Sequence, residues 1–142
     1  MKRRDLIVGA AASIVLRPAL ALPEELERVL REFAKGAPVR EGRVLLDIAP
    51  LIDNGNVVPV TLSVQSPMTA ADHVREIAIF NQRNPQRDVA RFSLSPRNGV
   101  AKISTRIRLA TSQHLLAVAR MSDGACFTHT VEVLVVLAAC IE

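Results

Sequence analysis

Two cysteines, Cys126 and Cys140, are the residues of this sequence that could carry covalent chemistry. A thiolate forms and exchanges sulfur–sulfur bonds reversibly, so an accessible cysteine can hold a sulfur compound and later release it. Only Ile141 and Glu142 follow Cys140 in the sequence, and so short a segment can do little to cover a thiol. Cys140 is therefore the candidate reactive residue. The structural alternative is that Cys140 is a small apolar residue at the end of a sheet.

The two cysteines could instead form a disulfide, which an exported protein would favour. If residues 126–140 run as one strand, their ends lie about 45 Å apart, whereas bridged Cα atoms lie within about 7 Å. No glycine or proline stands between the two cysteines to turn the chain back. We therefore expect Cys140 to be a free thiol.

Other chemical patterns are missing from the sequence or have simpler explanations. It contains no GxSxG, no HExxH, no glycine-rich phosphate loop and no carboxylate pair that the sequence identifies as acid and base. Cys126 and His129 could be metal ligands, but their odd spacing places them on opposite faces of a strand. His73 and His114 are expected to be ordinary loop and strand residues, and Ser122-Asp123-Gly124 to be a turn. We expect no catalytic residues, no metal and no cofactor.

Residues 1–21 have the pattern of a cleaved export signal. A basic cluster at residues 2–4 is followed by an apolar stretch from Leu6 to Leu16 and by an A-x-A pattern at residues 19–21. The apolar stretch is shorter than the about 20 residues that a spanning helix needs, so we expect cleavage after Ala21 and no membrane anchor. The adjacent Arg3 and Arg4 indicate twin-arginine export to the periplasm.

The remaining chain is close to neutral. The signal carries four basic residues against Asp5 and so accounts for +3 of the net +4, leaving +1. Without a basic patch, Trp or Tyr, the mature chain is a poor candidate for nucleic-acid binding. The full sequence is 49% hydrophobic but only 3% aromatic, which indicates a core of aliphatic side chains.

One short helix is predicted first among the elements that must position the cysteines. Pro23 and the two glutamates after it favour a helix start. Apolar residues then recur at helical spacing as far as Phe33, and Gly36 supplies a stop.

Beyond Gly36, the apolar residues alternate with a period of two, which predicts strands that each bury one face. Turn residues separate these segments, as at Asp53-Asn54-Gly55-Asn56 and at Asn98-Gly99. Such spacing predicts an all-β, immunoglobulin-like antiparallel β-sandwich of about seven strands in residues 22–137, followed by a tail at 138–142. The candidate strands contain residues 44–48, 58–64, 77–79, 90–94, 101–109, 114–120 and 127–137.

Several short motifs occur along the chain in a defined order. They are Asn54-Gly55-Asn56-Val57-Val58-Pro59-Val60, Ser66-Pro67-Met68-Thr69, Asn84-Pro85, Ser104-Thr105-Arg106-Ile107-Arg108-Leu109-Ala110 and Met121-Ser122-Asp123-Gly124. Together with the twin-arginine start, this string resembles the SoxY family, the sulfur-carrier subunits of the bacterial thiosulfate-oxidising multienzyme system. The resemblance implies an immunoglobulin-like carrier with no catalytic activity of its own.

The resemblance also implies partners and a role for Cys140. It implies pairing with a second small β subunit, SoxZ, and oxidative loading of thiosulfate onto Cys140 by a c-type cytochrome. The conjugate would then visit a hydrolase and a sulfur dehydrogenase in turn. A thiol that is followed by only two residues suits this role, because it can enter the clefts of several enzymes while its cargo stays covalently attached.

The tail departs from the family pattern, in which the cysteine stands in a Gly-Gly-Cys-Gly-Gly arm. Ala138 and Ala139 replace the preceding glycines, and Ile141 and Glu142 replace the following ones. Alanine narrows the backbone choices, and a branched side chain adds bulk beside the sulfur. A non-carrying SoxY paralogue that acts as a binding subunit is therefore the alternative function. A generic secreted binding module is a third possibility, which explains the sandwich but not the motifs.

Overall fold

The computed structural model describes residues 22–139. The predicted signal peptide and the segment from Cys140 to Glu142 lie outside these residues, and the predicted domain boundaries stay a prediction. Within residues 22–139, no helix has the length and apolar content needed to cross a membrane. The described elements are α1 (Glu24–Ala34), β1 (Val39–Glu41), β2 (Val44–Asp47), β3 (Leu51–Asn54), β4 (Val58–Val64), β5 (Val74–Asn81), β6 (Asp88–Ser93), a 3₁₀ turn (Pro96–Asn98), β7 (Lys102–Ile107), β8 (Gln113–Met121) and β9 (Cys126–Leu137).

Helix α1 begins and ends where the sequence predicts. Pro23 is its N-cap residue, and three glutamates occupy the first turn, where carboxylates interact favourably with the positive end of the helix dipole. Lys35 adopts a left-handed conformation with φ 51°, and Gly36 follows with φ 82°. Glycine adopts this region without steric cost, so the chain can leave the helix at this point.

The strands form two sheets that face each other, which confirms the predicted immunoglobulin-like β-sandwich. One sheet has the order β1-β9-β8-β5-β6, with β3 also paired to β9, and the other has the order β2-β4-β7. All seven predicted strands are present. The described chain also contains β1 and β3, which the sequence did not predict, and both pair with β9 in parallel.

Aliphatic side chains from both sheets fill the space between them. Along β5, Ile77 and Ile79 point into this space, while Ala78 and Phe80 point to the opposite face. There, α1 packs through Leu26 and Phe33 and forms a second apolar cluster with the outer face of the larger sheet. The alternation seen in the sequence thus corresponds to two separate cores, one on each face of this sheet.

Helix α1 leaves part of the outer face of the larger sheet uncovered. Leu134 on β9 pairs with Leu51 on β3, and the side chains of Leu51, Leu134 and Val136 are 57%, 54% and 71% exposed. These three residues are called the outer apolar patch below. Two of its residues, Leu134 and Val136, lie on β9, the strand that leads to the candidate cysteine.

Candidate functional site

The chain that leads to Cys140 is held on the domain by backbone hydrogen bonds. The Gly55 N–H donates to the Leu137 carbonyl at 2.8 Å, and the Ala139 N–H donates to the Leu109 carbonyl at 3.1 Å. Ala139 is 8% exposed. Ala139 is the residue that directly precedes Cys140 in the sequence. Cys140 itself lies outside the described residues, and its role as the attachment site stays a prediction.

Gly55 and Leu109 are also hydrogen-bonded to each other. The Leu109 N–H donates to the Gly55 carbonyl at 2.8 Å. Gly55 is buried, and a Cβ atom added to it would lie 2.4 Å from the Leu109 carbonyl oxygen. The sequence identifies Gly55 as a turn residue within one of the motifs, but nothing local marks its contact with residues 137–139.

Asn84 holds the loop that contains Leu109. Its Nδ2 donates to the Arg108 carbonyl at 2.9 Å, and its Oδ1 accepts from the Ala110 N–H at 3.0 Å. Gln113 Nε2 also donates to this oxygen at 2.7 Å. Asn84 therefore binds the residues on both sides of Leu109, so the carbonyl that holds Ala139 belongs to a well-braced loop.

Positive charge lies beside this loop. Arg106 and Arg108 line a groove of about 850 Å³ between β6 and β7, together with Asn81 and Asn84. The two amide side chains already bond nearby backbone carbonyls. Arg106 and Arg108 are the charged residues nearest in sequence to Leu109, whose carbonyl binds Ala139.

Cys126 has a very different setting from that of a reactive thiol. It is fully buried under α1, and its Sγ lies 3.8 Å from the Gly124 carbonyl oxygen. Burial raises the pKa of the Cys126 thiol above its usual value, and the nearby Arg120 guanidinium opposes that rise. A buried thiol with a raised pKa is rarely ionised and is a poor nucleophile.

The course of β9 agrees with the reasoning against an internal disulfide. The chain runs as one strand from Cys126 to Leu137, which spans about 36 Å at about 3.3 Å per residue. Cys126 thus lies at the end of β9 remote from the tail.

The three histidines lie in separate environments. As predicted, Cys126 and His129 point to opposite faces of β9: Cys126 lies under α1, whereas His129 Nδ1 accepts from the Leu46 N–H at 2.9 Å. His73 Nδ1 lies 3.1 Å from the Thr69 carbonyl oxygen, and His114 Nδ1 lies 3.0 Å from Gln82 Oε1. Across residues 22–139, no group of three or more His, Cys, Asp or Glu side chains could hold a metal ion.

Ser122-Asp123-Gly124 forms the turn between β8 and β9, as the sequence predicts. The Asp123 carboxylate accepts from the Ala125 N–H at 2.9 Å. Gly124 adopts φ 90° and donates its N–H to the Met121 carbonyl at 3.0 Å. Each of these contacts closes the turn.

Among solved structures, this sandwich is similar in fold to a sulfur carrier and to several superoxide reductases. The sulfur carrier protein SoxY from Chlorobium limicola f thiosulfatophilum is similar with a TM-score of 0.66 and 24% identity, over 80% of this chain and 97% of that chain. A superoxide reductase (neelaredoxin) from Ignicoccus hospitalis has a TM-score of 0.60 and 16% identity, over 66% of this chain and 80% of that chain. The superoxide reductase from Nanoarchaeum equitans has a TM-score of 0.55 and 12% identity, over 66% and 93% of the two chains. At such identities these likenesses show the fold alone.

The family comparison is more specific. No curated protein matches the chain. The family model of the sulfur oxidation protein SoxY matches residues 30–140, which include both cysteines and the anchored chain between Leu137 and Ala139. This match covers most of the sequence, and the chain therefore belongs to the SoxY family of sulfur oxidation proteins.

Proposed function

We propose that this protein is a sulfur carrier that holds thiosulfate-derived intermediates covalently on Cys140. The observation that carries the proposal is that the match to the SoxY family extends to residue 140. The fold likeness to the sulfur carrier protein SoxY of Chlorobium limicola f thiosulfatophilum supports it. We propose a carrier subunit without catalytic activity of its own, because Cys140 would supply only the attachment point.

Loading in this proposal is an oxidative step. The Cys140 thiol loses its proton, its sulfur forms a bond with the outer sulfur of thiosulfate, and two electrons leave the pair. A c-type cytochrome accepts these electrons. The product is a cysteine S-thiosulfonate, which stays attached while a hydrolase and a sulfur dehydrogenase act on it. Because the new bond joins two sulfur atoms, thiol exchange can later break it.

The surroundings of the two cysteines support Cys140 rather than Cys126 as the loaded residue. Cys126 is fully buried and carries a raised pKa, so a partner enzyme could reach it only if α1 moved away. Cys140 follows directly after Ala139, whose backbone is bound to the loop beside Arg108. Positive charge such as that of Arg108 would stabilise an anionic conjugate that comes near it, whereas the carboxylate of Glu142 would oppose such a conjugate.

Export and assembly complete the proposal. We propose that residues 1–21 direct twin-arginine export and that the mature protein acts in the periplasm, as the signal pattern indicates. A SoxZ-like subunit is the proposed stable partner. The outer apolar patch supports this pairing, since exposed apolar surface on a sheet face is typical of protein interfaces.

A non-carrying SoxY paralogue is the second candidate function. Two observations favour it: the alanines in place of the family glycines before Cys140, and the hydrogen bond that ties Ala139 to the domain. Both restrict how far a thiol at residue 140 can travel. In this alternative the protein keeps the partner interface and has lost the carrier role.

The first prediction is that Cys140 alone is loaded. The mature protein isolated from thiosulfate-grown cells should show a mass adduct that a reductant removes. Cys140→Ser should abolish the adduct, whereas Cys126→Ala should keep it, because the Cys126 thiol is buried. Intact-mass spectrometry of the three proteins measures this directly.

Two outcomes of this experiment would change the assignment. An adduct that persists in Cys140→Ser would show that Cys140 is not the attachment site. The deciding comparison for the paralogue is a variant with glycine at positions 138, 139, 141 and 142. Loading of that variant but never of the natural tail would favour the non-carrying paralogue.

A further inference from the structure

We infer that Gly55 and Leu109 form a latch that holds the chain before Cys140 against the domain and so limits the reach of its thiol. Gly55 is then a positioning residue for Cys140, although it is far from it in sequence. The inference deepens the proposed carrier function. Its role for the thiol rests on that function, whereas the latch itself can be tested without it.

The latch consists of three backbone hydrogen bonds that form a chain. Gly55 N–H binds the Leu137 carbonyl at 2.8 Å, Leu109 N–H binds the Gly55 carbonyl at 2.8 Å, and Ala139 N–H binds the Leu109 carbonyl at 3.1 Å. Gly55 and Leu109 each use both backbone groups. Leu137 at the end of β9 and Ala139 in the tail are therefore bound by two loop residues that also bind each other.

Only glycine fits at position 55. A Cβ atom there would lie 2.4 Å from the Leu109 carbonyl oxygen, 3.1 Å from the Ala139 nitrogen and 3.1 Å from Val135 Cγ1. The requirement is for space rather than for an unusual backbone, since Gly55 is not among the residues with positive φ. A side chain at position 55 would press on the carbonyl group that holds Ala139.

Neighbouring contacts make the latch a fixed part of the domain. Strand β3 pairs with β9 up to Asn54 and Leu137, so the latch continues that ladder by further bonds. On the other side, Asn84 braces the loop around Leu109 through the backbone of Arg108 and Ala110. One half of the latch therefore continues a strand ladder, and the other half is a loop that the Asn84 side chain braces.

Opening the latch would lengthen the part of the chain before Cys140 that is free of the domain. With the latch closed, one peptide bond separates Cys140 from the bound Ala139. If the bonds to Leu137 and Ala139 both break, residues 138–140 can extend about 10 Å from Leu137 at about 3.3–3.6 Å per residue, which is about 7 Å more than the single residue beyond a bound Ala139 allows. A family arm with glycines would gain such reach from backbone freedom, whereas this chain, with alanines, would gain it from latch opening.

The test compares Gly55→Ala with Val57→Ala, a control in the same turn whose side chain is 57% exposed. Amide hydrogen exchange at residues 55, 109 and 139 reports on the three bonds. We expect these amides to be protected in the natural protein. In Gly55→Ala, exchange at residues 109 and 139 should accelerate by about tenfold or more, the effect of losing a typical net hydrogen bond. Exchange in β5 and β8 should not change, and Val57→Ala should behave like the natural protein.

A second readout links the latch to the thiol. In Gly55→Ala, a bulky maleimide should label Cys140 faster, while labelling by the small reagent iodoacetamide should change less, because reach matters more for a large probe. Should Gly55→Ala fail to fold, Asn84→Ala provides the same test, since it loosens the Leu109 loop without touching the tail.

The possible outcomes separate the latch from the carrier function. The latch would be overturned if the Ala139 amide exchanged as fast as in an unstructured peptide, or if Gly55→Ala left the exchange rates at residues 109 and 139 unchanged. Either result would count even if Cys140 carries sulfur. If Gly55→Ala accelerates exchange of protected amides but does not increase labelling of Cys140 by the bulky maleimide, the latch exists but does not control the reach of the thiol. A latch that passes both tests would stand even if thiosulfate never loads Cys140.

Discussion

At the residue scale, the two cysteines show how environment separates residues of one type. Cys126 lies under α1 within an apolar cluster, and burial raises the pKa of its thiol. It therefore behaves as a small apolar core residue. Cys140 follows an anchored backbone on the domain, and the family match that includes it makes it the candidate for chemistry.

The raised pKa of Cys126 predicts a loss of stability at high pH. Below the pKa of the thiol in the unfolded chain, near 9.0, both states keep the proton and stability is unaffected. Above it, the unfolded chain releases the proton while the folded protein retains it, so the free energy of unfolding should fall by up to about 1.4 kcal/mol per pH unit until the folded thiol also ionises.

Urea unfolding of Cys140→Ser between pH 7 and pH 10.5 measures this effect. Cys126→Ala in the same background should have a flatter pH dependence, since the titrating group is absent. Equal slopes in the two proteins would contradict the argument. At neutral pH, replacing Cys126 should also lower stability, because its side chain is fully buried.

At the element scale, one arginine connects α1 to the larger sheet. Arg120 on β8 binds Glu76 Oε2 on β5 at 2.9 Å, donates to the Phe33 carbonyl near the helix C-terminus, and lies 4.4 Å from the centre of the Phe33 ring. Phe33 also contacts Phe80 edge-on at 5.8 Å. Arg120 thus binds a helix carbonyl, an aromatic face and a carboxylate at once, and α1 in turn covers Cys126.

Removing this arginine should loosen the helix. Arg120→Ala should lower the free energy of unfolding by about 2–4 kcal/mol, because it leaves partly buried Glu76 without its closest cation. Arg91→Ala is the matched control, since Arg91 also stacks on Phe33 but its side chain is 51% exposed, and it should cost less than about 1 kcal/mol. Urea unfolding of both variants checks the difference, and similar losses would count against this role of Arg120.

A looser helix should also expose the thiol beneath it, so alkylation of Cys126 should accelerate in Arg120→Ala but not in Arg91→Ala.

At the scale of the whole molecule, the larger sheet buries only part of its outer face. Helix α1 covers one region, whereas Leu51, Leu134 and Val136 remain exposed on the strands next to the latch. A partner that covers this patch would lie beside the segment that carries Cys140. The proposed pairing with a SoxZ-like subunit would therefore place the partner close to the site of loading.

A charge within the outer apolar patch should weaken that pairing. Leu134→Asp should reduce affinity for a SoxZ-like subunit by about tenfold or more, because a buried interface disfavours an unpaired charge. Val100→Asp is the control, since Val100 is also an exposed apolar residue, at 68%, but is not part of the patch. Co-purification and titration with the partner measure the effect. Equal binding by both variants would place the interface elsewhere.

Most of the fold follows from local patterns in the sequence. Period-two alternation predicts each strand that buries one face, as along β4, where Val58, Val60, Leu62 and Val64 are buried and Pro59 is exposed. The start and stop of α1 likewise depend on neighbouring residues. These predictions succeed because burial of alternate side chains leaves its mark within a single strand, whatever its partner is.

The sequence alone determined the fold class, the helix, the seven main strands, the opposite orientations of Cys126 and His129, and the thiol chemistry available to the chain. Only the tertiary structure decided which strands lie beside β9 and what holds the chain before Cys140. Strands β1 and β3 are short, and β3 ends in Asp53-Asn54, so they form through parallel pairing with β9 rather than through their own alternation. Gly55 meets Leu109 and Leu137 through backbone atoms. Such contacts join distant parts of the chain through backbone groups that every residue shares, so residue type does not name the partners, and even the glycine that the close approach requires looks in the sequence like an ordinary turn residue.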